Sequence, residues 1–272
     1  MRLDEVNYVV LDEADRMLDL GFEPQIREIV KCVPRGYQSL MYSATWPPEV
    51  RTLATGLMRP GPCQVSIGSG GESGPRANKS IDQKVIFIHR EAERDPALTH
   101  QLRLGKPGER VLVFCSTKKS CEAVFRALRK EGSSCSTIHG DKGQAEREHA
   151  LAEFKSGASP TLVATDVAAR GLDIKEVNLV INYEFPTSVE AYVHRIGRTG
   201  RAGAKGVAVT FFSAADAKHA APLIEILKQA GQKPPKELRQ MAKLMKGGGT
   251  GATEPTHTVY EPRSGPHGQL YG

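Results

Sequence analysis

The chain has 272 residues, room for one or two domains at roughly 150 residues each, and its 37 basic and 31 acidic side chains leave a net charge of +6. A composition of 39% hydrophobic and 25% charged residues excludes disorder for the bulk of the chain. No apolar run approaches the roughly 18 residues of a membrane span, and Asp4 and Glu5 stand where a signal peptide would be apolar. The five cysteines include no C-x-x-C pair. That argues against a disulfide framework or structural zinc, and for a soluble protein of a reducing compartment, nucleus or cytoplasm, without membrane association.

In chain order, Val6–Leu11 reads as a buried strand, and Asp12-Glu13-Ala14-Asp15 follows directly on it. Ligands of open α/β sheets bind at carboxyl strand ends, where paired carboxylates can hold a magnesium ion and orient a water. A helix start with Asp12 as N-cap fits the same residues equally well. Ser39–Tyr42 is the next strand, ended by Ser43-Ala44-Thr45, in which Thr45 would serve as an ordinary helix cap ahead of Pro47 and Pro48. Residues 68–80, rich in glycine and serine and without a large apolar side chain, read as a linker that cannot contribute to a core. Strands follow at Val85–Ile88 and Val111–Cys115, then a helix over Ser120–Lys130. Ile138-His139-Gly140-Asp141 ends a further strand and leads into a helix over Gln144–Phe154, where Gln144 and Arg147 share a face that could grip backbone phosphates. In isolation the same residues read more readily as a solvated helix face.

Thr161–Ala164 is another strand, and the loop Thr165-Asp166-Val167-Ala168-Ala169-Arg170-Gly171-Leu172-Asp173 after it mixes hydroxyl, acid and guanidinium groups in a way no apolar core requires. After a strand at Leu179–Asn182, Thr187 and Glu190 have the spacing of a capping box for a helix over Val189–Ile196. That helix delivers His194-Arg195-Ile196-Gly197-Arg198-Thr199-Gly200-Arg201, three arginines at intervals of three, with glycines that let backbone approach a ligand. Such a cluster suits phosphate charge. A strand at Val207–Phe212 completes the pattern, and residues 247–272, rich in glycine and proline, read as a disordered tail. Apolar strands alternating with helices predict an α/β fold with parallel sheets covered on both faces. No G-x-x-x-x-G-K-[ST] occurs anywhere in the 272 residues.

Read together, DEAD, SAT, IHGDKGQAER, ATDVAARGLD and HRIGRTGR resemble the DEAD-box RNA helicases from about Val6 to Lys228. The stretches DEADRMLDLGFEPQIR, SATWP and IHGDKGQAER are most similar to the p68-like members. The resemblance implies ATP and Mg2+ bound between two RecA-like domains, with single-stranded or duplex RNA taken without strong sequence preference, and protein cofactors in addition. It implies that Asp12 holds the metal, that Glu13 activates water, and that Arg198 and Arg201 act as arginine fingers. Asp173 would contact the ribose, while Asp15, Ser43, Thr45 and His194 would couple nucleotide state to closure. Thr117, Gly140, Gln144, Arg147 and Thr165 would touch RNA. Because the P-loop is absent, the chain is expected to be a carboxyl-terminal portion, inactive alone. It would hold the last third of a first RecA-like domain (1–67), a linker (68–80), a complete second RecA-like domain (81–246) and the tail (247–272). A non-hydrolysing RNA-binding module or regulator is the alternative.

Overall fold

The computed structural model describes residues 2–65, 77–169, 177–201 and 203–246. Most of the expected linker, the expected tail and Asp173 lie outside the described residues.

The first sheet pairs β1 (Tyr8–Leu11) with β2 (Gln38–Met41) in parallel, Tyr8 opposite Gln38 and Leu11 opposite Met41. Helices α1 (Ala14–Asp19), α2 (Glu23–Lys31) and α3 (Pro48–Leu57) accompany it. Their buried apolar side chains are few: Ala14, Ile26, Val50, Leu53 and Ala54. Here the reading of Val6–Leu11 as a buried strand is corrected. The strand begins at Tyr8, and Tyr8 and Val10 are 59% and 54% exposed. A parallel strand loses both faces to the interior only when neighbours flank it and helices cover both sides, and among the described residues β1 has one partner strand.

The second sheet has six parallel strands, β3 (Ile81–Ile88), β4 (Arg110–Cys115), β5 (Cys135–Ile138), β6 (Thr161–Thr165), β7 (Val177–Asn182) and β8 (Gly206–Ser213), in the spatial order β3-β8-β7-β4-β6-β5. The helices α4 (Arg94–Arg103), α5 (Lys118–Lys130), α6 (Gln144–Ser156), α7 (Val189–Ile196), α8 (Ala220–Gln229) and α9 (Lys236–Lys246) complete the described fold. The α/β expectation holds. The period-2 geometry of a strand divides each apolar run between two cores. Val111, Val113 and Cys115 of β4 join Val163, Ile181 and Phe211 on one side, while Leu112 and Phe114 join Leu162, Val180 and Phe154 on the other. A continuous apolar run is what such two-sided burial demands.

Residues 77–80 differ from the linker reading. Ala77 is buried in the core beside Ile81 and Leu223, and Asn78 Nδ2 and Ser80 Oγ donate to the Gly200 carbonyl at 2.9 and 3.1 Å. Small polar residues pack here because their hydrogen bonds are satisfied by a neighbouring backbone. Among the described residues no helix is long and apolar enough to cross a membrane. Cys32 and Cys63 are exposed and Cys115, Cys121 and Cys135 buried, all five unbridged.

The contrast between the two sheets has a measurable consequence. In limited proteolysis the region around β1 and β2 is expected to be cut before residues 81–230, because a two-stranded sheet is at most marginally stable. Equal protection of both regions would contradict this.

Candidate functional site

The acidic turn after β1 is locally strained. Glu13 sits at φ 52° and ψ 48°, the only non-glycine positive φ among the described residues, a conformation costing on the order of 1–3 kcal/mol and characteristic of functional sites. Tertiary bonds hold it: the Ala14 amide donates to the Tyr42 carbonyl at 3.0 Å, and the Asp15 amide to Ser43 Oγ at 3.1 Å. Neither simple capping reading survives. Glu13, not Asp12, occupies the N-cap position of α1 without a side-chain cap bond, and Pro47 occupies that of α3. Asp12 Oδ1 accepts from the Glu13 amide at 2.9 Å and the residue is exposed.

Thr45 has a different employment. Its amide and hydroxyl both donate to Asp15 Oδ2, at 3.0 and 2.6 Å. Asp15 is 4% exposed. Burial pushes its carboxyl up, but His194 and the two Thr45 donors outweigh this and hold it well below the usual carboxylate range. His194 Nε2 lies 3.5 Å from Asp15 Oδ2, a separation at which the contact is electrostatic; it has no formed hydrogen bond.

His194 and the arginines come from α7 and the turn after it. Ser188, one residue beyond the expected Thr187, is the N-cap, its hydroxyl accepting from the Ala191 amide at 3.1 Å. The three arginines have three different environments. Arg195, its side chain 1% exposed, forms a bidentate pair with Asp166 at 2.8 and 2.7 Å and donates to the Glu184 carbonyl at 2.7 Å. Arg198 Nη2 lies 3.6 Å from Glu13 Oε1. Arg201 is exposed and turns back, Nε donating to the Gly197 carbonyl at 2.8 Å. Arg16 adds a further contact between the sheets, its Nη2 3.8 Å from Asp166 Oδ1. Glu13, Arg16, Phe114, Asp166, His194, Arg195 and Arg198 line a cavity of about 20 Å³, space for about one water.

Packing also bears on two glycines of this turn. Gly200 has φ 66°, and a Cβ there would stand 2.6 Å from Ile81 Cγ1 and 3.0 Å from Ser80 Oγ. Gly197 terminates α7, where a Cβ would meet the Val193 carbonyl at 3.1 Å.

The remaining candidates cluster after β4, β6 and β5, which are neighbours in that order. Thr117 caps α5, its hydroxyl accepting from the Ser120 amide at 3.0 Å. Thr165 is the last residue of β6 and is 6% exposed. Gly140 follows β5, and Gln144 opens α6 with its side chain on Glu148 at 2.8 Å. Arg147 is half-buried, and its Nε has no hydrogen-bond partner. Sequence reasoning assigned no role to Arg16, Asp166 or Arg195 individually. The i,i+3 arginine spacing signalled the last of these, but only the fold reveals its carboxylate.

Two measurements check this geometry. Gly200→Ala is expected to cost about 2–5 kcal/mol, from a left-handed backbone worth about 1–2 and overpacking worth about 1–3; an unchanged urea midpoint would refute the packing role. Asp15, with its folded pKa lowered, contributes stability that is complete above about pH 4 and is lost as pH falls. Asp15→Asn is accordingly expected to flatten the acid limb of stability against pH.

Two family descriptions match the chain: the helicase conserved C-terminal domain over residues 94–203 and the DEAD/DEAH box helicase domain over residues 1–53. The chain is 55% identical over 247 residues to DEAD-box ATP-dependent RNA helicase 46 of Arabidopsis thaliana, covering 91% of itself and 37% of that protein. It is 50% identical over 281 residues to the ATP-dependent RNA helicase-like protein DB10 of Nicotiana sylvestris, covering 98% of itself and 45% of that protein. The chain thus spans less than half the length of these curated relatives. Among solved structures, S. cerevisiae Dbp5 bound to RNA and ADP BeF3 matches with TM-score 0.74 at 32% identity, over 91% of this chain and 64% of that one. The acidic strand end, the arginine turn and the six-stranded parallel sheet, with these likenesses, place the chain in the DEAD-box ATP-dependent RNA helicase family.

Proposed function

We propose that these residues form part of an ATP-driven RNA helicase of the p68-like branch, which separates short RNA duplexes or remodels RNA–protein complexes. The observation that carries this reading is the meeting of Glu13 and Arg198, from two different sheets, at 3.6 Å. A base and an arginine finger on separate units make hydrolysis depend on their apposition. With a cavity of only about 20 Å³ between them, the units must part for a triphosphate to enter, and Arg198 then exchanges the Glu13 carboxylate for phosphate oxygens.

The donor chemistry fits magnesium. The ion prefers hard oxygen ligands, keeps several waters, and is held by one or two carboxylates with substrate phosphates rather than by a protein cage. Asp12 offers an exposed carboxylate of that kind, and no cluster of three or more His, Cys, Asp or Glu suited to a metal occurs among the described residues. Bound magnesium would neutralise charge on the phosphates. Glu13 would accept the proton of the attacking water. Arg198 and Arg201 would stabilise charge on the γ-phosphate, Arg201 after swinging off the Gly197 carbonyl, and Asp173 would bind the ribose. Asp15, by holding Thr45 beneath His194, would transmit closure between the units.

Thr117, Gly140, Gln144, Arg147 and Thr165 would grip one RNA strand through phosphates and riboses, contacts that carry no sequence code. The placement of Arg147 on the first turns of α6, next to the Gly140 turn, supports this. Protein cofactors would act on the same closure, in the nucleus or cytoplasm. A non-hydrolysing RNA-binding module is the second reading for the chain by itself, favoured by the missing P-loop.

Phosphate release with Mg-ATP and single-stranded RNA separates the two. The 272 residues alone are expected to give no turnover above a Glu13→Gln control. Fused to a P-loop-bearing amino-terminal half from a DEAD-box relative, they are expected to give RNA-stimulated turnover. In that fusion Glu13→Gln should abolish hydrolysis while sparing ATP and RNA binding, and Arg198→Ala should lower it by about 10³ or more. Retained activity in either variant would reject the assigned role.

A further inference from the structure

The turn that follows β5 is fixed by a carboxylate to which the site described above gives no part. Glu122, on α5, faces it. Its Oε1 accepts from His139 Nε2 at 2.8 Å and from Lys142 Nζ at 2.9 Å, and its Oε2 lies 3.7 Å from Arg126 Nε. The His139 side chain is 5% exposed. Its Nδ1 accepts from the Asp141 amide at 3.3 Å, which places the ring proton on Nε2, where Glu122 receives it. The Lys142 amide closes the turn on the His139 carbonyl at 3.0 Å. Both ends of the 139–142 turn are therefore tied to one carboxylate, with Gly140 held between them. A Cβ at Gly140 would stand 3.2 Å from Lys118 Cε, the flexible end of a lysine paired with Asp141, so the absence of a side chain at Gly140 lets Lys118 lie against the turn. The hydrogen bonds from His139 and then Lys142 hold the Glu122 carboxyl below the usual carboxylate range.

We propose that Glu122 is a positioning residue for RNA: acting through His139 and Lys142, it presets the Gly140 turn in the shape that receives a strand's backbone. The inference rests on the RNA reading above. Its signature is a sign. Glu122 is an anion beside Arg126 and Lys142, so removing it makes the surface more positive, and electrostatics alone then calls for tighter binding to a polyanion. Loss of a preset turn calls for weaker binding, because the strand must pay to order it.

Fluorescence anisotropy of a labelled ten-nucleotide oligouridine, titrated with the full 272-residue chain at fixed salt, reads the difference. Glu122→Ala is expected to bind about tenfold more weakly. Glu122→Gln, whose amide oxygen still accepts from His139, is expected to bind close to the unaltered chain. A Glu122→Ala affinity equal to or tighter than that of the unaltered chain would overturn the inference and leave the RNA reading standing. Absence of binding by the unaltered chain would overturn both. Should Glu122→Ala fail to fold, His139→Phe reads the same turn with the ring volume kept; it is expected to show the same loss, and an unchanged affinity would overturn the inference.

Discussion

A carboxylate buried to the depth of Asp15 persists only if donors replace the water it has lost, and the way this one is satisfied organises the junction of the two sheets. Its backbone amide is held by Ser43, its Oδ1 accepts from the Arg16 amide, and its Oδ2 accepts from the Thr45 amide and hydroxyl and faces His194 of the other unit. One side chain thereby ties the ends of β1 and β2 together and presents them to α7. The left-handed turn at Glu13 depends on the same bonds, since the segment can hold a strained backbone only where its neighbours over-determine it. Asp15 is thus the anchor that lets Glu13 point across the junction.

The second unit supplies a matching construction with the signs reversed. Arg195 is buried as deeply as Asp15 and is satisfied by Asp166, the Glu184 carbonyl and, at 3.4 Å, Asn182 Oδ1. That pairing fixes the end of α7, so that His194 and Arg198 on either side of it project towards the acidic turn. The arginine cluster is divided between architecture and chemistry. Its first member is a buried strut, its second faces a carboxylate across the junction, and its third lies exposed against its own turn. Substituting Arg195 would disturb the junction through lost packing and would leave Asp166 with only the 3.8 Å contact to Arg16.

Parallel strands explain why so many candidates share one edge of each sheet. Every strand of the second sheet runs in the same direction, so Thr117, Gly140 and Thr165 emerge from adjacent carboxyl ends although up to 48 residues separate them in sequence (165 − 117 = 48). The same rule sets Glu13 and Thr45 beside each other at the ends of β1 and β2. Helix caps and ion pairs then lock the loops: Thr117 caps α5, and Glu122 on that helix grips the turn after β5.

What the sequence by itself determined follows from local physics. Two-sided burial writes continuous apolar runs, so the strands of the second sheet were legible to within a few residues, and the α/β class with them. Chemistry that an apolar core has no use for, such as the arginines of residues 195–201, marked the site. The roles of single residues within those motifs were not legible. Thr45 reads as a cap and is a donor to Asp15; Gly200 reads as room for a ligand and also lies in close contact with Ile81. Val6–Leu11 reads as interior and is half open. For the two buried charges the deciding partner is remote, 28 to 30 residues away for Asp15 with Ser43 and Thr45, 29 for Arg195 with Asp166. Burial, ion pairing and close contact are properties of what a residue meets, and only the tertiary structure decides what that is.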